Sequence, residues 1–276
     1  MKSSGPLKPW LLLSPALLFL LLPLYGLGAA FWNSITDQGA LSLKVYEELF
    51  RDEEFLSSLL YSVWIALAAT VLSLFLGWFL TRMFASLLAS TSGKLAAWLP
   101  MIFPHFVWAY LVLLLFREGG LISGLIPGDP SLAQDPEGIG IILTYIGKET
   151  PFVILMLLPV YLTRERHYDD LVETLGGSLF FRIRDAEWPW VAPVFIETGL
   201  IIFAFTFSAY EVPALVGATF PEMVSVLTYD WFYSGDWGER PLAFAAMVFS
   251  SVVISLIAWV AFFLINKKRR LLTEGL

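Results

Sequence analysis

Lys148 and Glu149 stand side by side inside an otherwise apolar run at 139–163. A charge there is costly unless it pairs internally or lines a hydrated path. Thr144 lies one helical turn before Lys148 and shares its face, whereas Glu149 is rotated by about 100°. Two readings follow: contact with a polar solute in transit, or a structural pair that snorkels to an interface where Pro151 breaks the helix. His105 follows Pro104 and either lines the same path or satisfies a carbonyl that the proline frees. Tyr210 and Glu211, just before Pro213, sit near the end of another apolar run, where a carboxylate meets either a cationic solute or water.

A second polar group is His167, Asp169, Asp170 and Glu173. As metal ligands or acid–base groups these residues would suit a membrane enzyme, but acid-x-x-acid beside a histidine is a common surface pattern. The chain has no cysteine and two histidines, which excludes thiolate zinc sites, cysteine nucleophiles and histidine-rich metal sites. Gly147-Lys148-Glu149-Thr150 imitates the end of a phosphate-binding loop, yet position 142 is isoleucine where that loop needs its first glycine. No catalytic residue, metal site or cofactor is therefore expected in this chain.

The elements that hold these residues follow from composition. Of 276 residues 58% are apolar and 15% charged, and mean hydropathy is +0.73. A water-soluble domain is nearer half apolar and a quarter charged. The excess comes as six runs of membrane-crossing length, at 10–31, 57–81, 95–116, 139–163, 191–215 and 242–265. An all-α integral membrane protein of six transmembrane helices is expected. The first run, with Lys2 and Lys8 before it and Gly28-Ala29-Ala30 near its end, could instead be a secretory signal, but its apolar stretch is too long for one and its removal would leave five spans. Ser62, Ala66, Ala69, Ser73 and Gly77 form a small-residue stripe at helical spacing, which predicts close helix–helix contact. The connection at 117–138 reads as irregular, 32–56 as partly helical, and 221–233 as a short helix lying at the outer surface.

Orientation follows from the basic residues in the connections. One set of segments carries twelve Lys and Arg, the opposite set only four (Lys44, Arg51, Arg117 and Arg240). With acids included, the sets carry +5 and −11, the spans −1, and the chain −7. Both termini are expected in the cytoplasm. The acidic balance argues against nucleic acid as a partner.

One long connection on the basic side, 164–190, joins the fourth and fifth runs. Residues 168–175 read as a short amphipathic helix with Leu171, Val172 and Leu175 as its apolar stripe. Gly176-Gly177 stops it, because glycine accepts the left-handed conformation of a helix stop. A second short segment, 179–183, leads to Pro189. From composition alone, the helix either rests on the headgroups or serves a partner.

This loop resembles that of the permease subunits of binding-protein-dependent ABC importers, the maltose and polyamine type. That family has Glu-Ala-Ala, three residues, Gly, nine residues, then Ile-x-Leu-Pro. Here Asp170-Leu171-Val172 is followed by Gly176 and then by Ala186, Glu187, Trp188 and Pro189. Gly176 and Pro189 keep the spacing and Asp170 keeps the acid; Leu171, Val172, Ala186 and Trp188 depart from the pattern. Residues 58–82 resemble the family's second span, and 210–217 the outer end of its fifth span in polyamine-, iron- and thiamine-type permeases. The resemblance covers roughly 57–265.

The resemblance implies a type I permease fold with both termini cytoplasmic. It divides the chain into a first helix and outer loop (1–56), a five-helix permease core with coupling loop 164–190 (57–265), and a basic cytoplasmic tail (266–276). The implied function is half of the pathway for a small hydrophilic solute, such as a polyamine, ferric ion or thiamine, across a bacterial-type inner membrane. The implied partners are a second permease subunit, two ATPase subunits that bind ATP and Mg, and an external solute-binding protein docking near 221–233. Asp170, Leu171, Val172, Glu173, Leu175, Gly176, Gly177 and Pro189 would form the coupling loop, and His105, Thr144, Lys148, Glu149, Tyr210 and Glu211 the pathway. A sugar-type ABC permease and an autonomous channel or secondary transporter are the alternatives. The scarcity of intramembrane acids and the lack of an inverted repeat count against the autonomous forms.

Overall fold

The computed structural model describes residues 9–37, 40–127, 131–164, 167–233 and 238–273. Its chain is helical because hydrocarbon offers no water to the backbone, so each N–H and C=O must pair within its own segment. In order come α1 (Pro9–Ser34), a short antiparallel pair β1 (Thr36–Asp37) and β2 (Ala40–Leu41), α2 (Lys44–Arg51) and α3 (Glu53–Ala89). Then follow α4 (Thr91–Ile102), α5 (His105–Phe116), α6 (Ile139–Thr163) and α7 (His167–Thr174). α8 (Leu179–Phe181) runs through a π-helical turn, Arg182–Glu187, into α9 (Trp188–Ser208). The last helices are α10 (Glu211–Val216), α11 (Val224–Tyr233) and α12 (Arg240–Thr273).

Among the described residues five helical segments are long and apolar enough to cross a membrane, and six if α4 and α5 count as one bent span. The expected fourth span coincides with α6. Others depart from expectation. The third is two helices at 87° rather than one rod. The fifth stops at Ser208, and 211–216 forms the separate helix α10. α3 runs for 37 residues, more than one bilayer crossing needs, and kinks at Phe84. The helix expected within 221–233 is present as α11, with Val224, Leu227 and Trp231 buried on one side and Tyr229, Asp230 and Tyr233 exposed on the other. Pro151 does not break α6, which runs on through both Pro151 and Pro159. The side chains of the basic tail at 266–276 lie outside the described residues.

The chain divides into two units. One takes in Met1–Phe55 and Thr228–Val253. Its interior is aromatic: Phe249 meets Phe50 edge-on at 5.1 Å and Phe55 at 6.1 Å, and Phe55 lies 6.4 Å from Trp231. The other takes in Leu56–Leu227 and Ile254–Leu276. It contains two apolar clusters, one around Ile65, Ile141, Tyr145 and Val212, the other around Leu74, Val153, Leu157 and Ile202.

α6 is the axis of this second unit, with α4, α5, α9 and α10 packed against it. It starts where Asp135 accepts from the backbone N–H groups of Ile139 (2.7 Å) and Gly140 (3.0 Å), placing a carboxylate on the positive end of the helix. The small-residue stripe of α3 is fully inside. At Gly77 an added Cβ would stand 2.5 Å from Cβ of Val153, so α3 and α6 touch backbone to side chain there. Gly77→Leu is expected to destabilise the fold by about 1–3 kcal/mol, the usual cost of overpacking. Gly26→Leu, whose Cβ meets nothing within 4 Å, serves as the neutral control. Thermal unfolding in detergent compares the two.

Candidate functional site

The 87° break between α4 and α5 has a covalent origin. Pro104 has no N–H to give the carbonyl of Pro100, four residues back, and its ring pushes Phe103 into an extended conformation (φ −76°, ψ 135°). Phe103 also loses its helical donor, because the N–H of Val107 turns to the carbonyl of Pro104 (3.1 Å). Two carbonyls thus face the interior without backbone partners. Lys148 satisfies both: its Nζ donates to Pro100 O at 2.9 Å and to Phe103 O at 2.6 Å.

Glu149 does the complementary work. Its Oε1 lies 3.2 Å from Nε2 of His105, the first residue of α5. The ammonium therefore sits at the negative end of α4 and the carboxylate at the positive end of α5, each where the helix dipole favours it. Lys148 is 4% exposed and Glu149 7%. The carbonyl freed by the proline is met by Lys148 and not by His105, which instead packs on Phe205 at 4.8 Å between ring centres.

These residues line a cavity of about 240 Å³ with Met101, Phe152 and Phe205. His105, Lys148 and Glu149 are brought together. Thr144 is not among its walls; it is buried and donates to the carbonyl of Gly140 in its own helix (2.8 Å). Tyr210 and Glu211 are also absent from its walls; both are exposed, at the start of α10. Gly147-Lys148-Glu149-Thr150 is regular helix, a shape that cannot wrap a phosphate.

α7 covers 167–174 and buries none of its residues; Leu171 is 55% exposed and Leu175 78%. Its end has the hydrogen bonds of a Schellman stop. Gly177 N donates to Val172 O at 2.8 Å and Gly176 N to Glu173 O at 2.9 Å, with Gly176 at φ +73°. Glycine is required twice, at 176 for the left-handed φ and at 177 because a Cβ would collide with Val172. Asp170 and Glu173 point their charges into solvent, and Pro189 opens α9 in its first turn.

Behind α7 lies a network that sequence reasoning missed. Arg164, just past α6, makes a bidentate pair with Asp169 of α7 (3.0 and 2.6 Å). Burial pulls the Arg164 guanidinium down, and the bonded Asp169 carboxylate more than reverses this, leaving it above its ordinary value. Glu187, only 2% exposed, accepts from Arg82 Nε of α3 at 3.0 Å and from the hydroxyl of Tyr161 of α6. The available signal was spacing: Tyr161 and Arg164 are one turn apart on one face of α6.

The helical architecture is shared with permeases of ABC importers, the family that the loop motif resembles. The chain is 27% identical over 231 residues to the inner membrane ABC transporter permease protein YnjC of Escherichia coli K12, across 80% of this chain and 44% of that protein. It thus spans less than half of that relative's length. No family model matches the chain. Among solved structures it resembles a bacterial ABC transporter involved in the import of the acidic polysaccharide alginate, with TM-score 0.70, 17% identity, and coverage of 94% and 96% of the two chains. That transporter in complex with a periplasmic protein bound to alginate pentasaccharide gives TM-score 0.69, at 17% identity and 91% coverage of each chain. An inward-facing form of the MetNI methionine ABC transporter gives 0.53 at 16% identity, over 79% of this chain and 99% of that one.

Lys148→Met keeps the apolar stem and removes both hydrogen bonds to the break. It is expected to cost about 3 kcal/mol, at roughly 1.5 kcal/mol for each bond from a charged donor. Thr144→Val removes one bond inside its own helix and is expected to cost no more than about 1 kcal/mol. Chemical unfolding in mixed micelles measures both; equal stability of Lys148→Met and the parent would mean that the ammonium does not pin the break.

Proposed function

We propose that this chain is the membrane-spanning permease subunit of an ATP-driven importer of an inner, cytoplasmic membrane, with both termini in the cytoplasm. It forms half of the translocation pathway, and a second permease subunit, identical or related, forms the other half. The chain itself is not catalytic; two separate ATPase subunits bind ATP and Mg and hydrolyse it. An external binding protein delivers a small hydrophilic solute of the polyamine, ferric ion or thiamine kind.

The observation that carries this reading is α7. An eight-residue helix with Leu171, and Leu175 just past its end, in solvent, a glycine stop and a charged tether at its base is costly to leave uncovered. An ATPase cleft would cover Leu171, Val172 and Leu175, with Asp170 and Glu173 at its polar rim, and Gly176, Gly177 and Pro189 would set the angle at which the helix is offered. The import function named for the alginate transporter of the same fold supports the direction of transport.

Within the membrane, His105, Lys148 and Glu149 line the cavity that we assign to the pathway. Thr144 stands behind it, and Tyr210 and Glu211 belong to its outer approach. The division into residues 1–56, the core at 57–265 and the tail at 266–276 is part of the same proposal.

Coexpression with the cognate ATPase tests the reading. Gly176→Val forces a β-branched residue into the left-handed region and misdirects α7, while Asp170→Lys reverses a rim charge. Each is expected to lower copurified ATPase by about tenfold, or 1.4 kcal/mol, with permease levels in the membrane unchanged. Full retention of ATPase by both variants would remove α7 from the coupling role.

A further inference from the structure

Two elements lose α-helical geometry where the charged network behind α7 attaches. In α3 it fails at Phe84 (φ −120°, ψ 23°), two residues beyond Arg82. In the return from α7 it fails over Arg182–Glu187, where a π-helical turn ends on Glu187 itself. Departures of this kind inside helices mark places where a helix bends or serves a function. A cavity of about 300 Å³ opens there, lined among others by Arg82, Tyr161, Arg164, Asp169 and Glu187. The same contacts that bridge the cavity are strong: a buried carboxylate held by a guanidinium and a hydroxyl, and a bidentate pair nine-tenths buried on its arginine side.

We propose that Glu187 is a positioning residue that passes displacement of α7 to α3 and α6; this deepens the coupling role of α7 and rests on it. α7 holds α6 through Asp169 and Arg164, and it packs against the π-helical turn that carries Glu187. Glu187 in turn holds α3 through Arg82 and α6 through Tyr161. A push on α7 thus reaches two membrane helices through hydrogen bonds shielded from water. Removing the carboxylate leaves Arg82 without the acceptor it has here, and the push then spends itself in the cavity.

The natural absence of cysteine makes the test direct. Thr174→Cys on α7 and Phe79→Cys on α3, both at exposed positions, carry a pair of spin labels in the complete complex with its ATPase subunits. Distances are read in lipid nanodiscs before and after trapping with ATP and vanadate. With Glu187 present, a narrow distribution is expected that trapping leaves in place, because the two labels move together. With Glu187→Gln, which keeps the shape but loses the charge, a broader distribution is expected that shifts by several ångströms on trapping. The double charge exchange Arg82→Glu with Glu187→Arg is expected to narrow it again; this arm also separates the charge pairing from a folding defect. A Gln variant indistinguishable from the parent, or an exchange that restores nothing, overturns the inference and leaves the coupling reading standing. If the parent chain retains no ATPase, the coupling reading falls and the inference falls with it.

Discussion

A carbonyl in hydrocarbon must have a donor, and at Pro100 and Phe103 the backbone cannot provide one. The polar cluster midway along α6 answers that one deficiency. Pro104 turns α4 away from α5 by 87°, and the turn is tolerable only because a side chain from another helix delivers an ammonium to both orphaned oxygens. Lys148 does this from the middle of α6, which fixes where α6 must lie against the break. A charge that looks out of place in an apolar run is the group that lets the run beside it bend.

The ammonium creates the next constraint. Alone, it would be a buried cation; Glu149 stands next to it in sequence and opens the other way, toward His105 at the start of α5. The adjacent pair thus spans the break with its charges ordered to suit both helix ends. The energy is held in geometry rather than in a direct Lys–Glu bond, since the lysine spends its contacts on carbonyls. That arrangement leaves His105, Glu149 and the ring of Phe205 facing a cavity instead of filling it.

How much of this was legible depends on whether the interaction is local. α6 could be read to the residue because its apolar run and its flanks are local signals, and the stop at Gly176-Gly177 could be read because a left-handed turn has a local chemical cause. The stripe ending at Gly77 was legible for the same reason. The break at Pro104 was half visible: a proline in a span announces a freed carbonyl, but not which donor answers it, and the histidine next door was the wrong choice. Lys148 reaches back 48 residues to Pro100, and Glu187 reaches 105 residues to Arg82. Pairings at that separation leave no periodic trace in one sequence. Glu187 was seen only as a filler before Trp188 and Pro189, because nothing in its neighbourhood tells a buried acid from a solvated one.

The two polar sites share a single helix. Lys148 and Glu149 lie mid-way along α6, while Tyr161 and Arg164 lie at its end, about 18 Å further by helical rise from 149 to 161. α6 is unbroken between them despite Pro151 and Pro159, with flanking helices packed around it. α3 and the α4–α5 pair each bend, and the α8–α9 run passes through a π-helical turn; α6 does none of these. One continuous helix thus carries a charged cluster at its centre and another at its base. The bends in its neighbours fall beside those clusters, the α4–α5 break at Lys148 and Glu149, and Phe84 and the π-helical turn at Arg82 and Glu187.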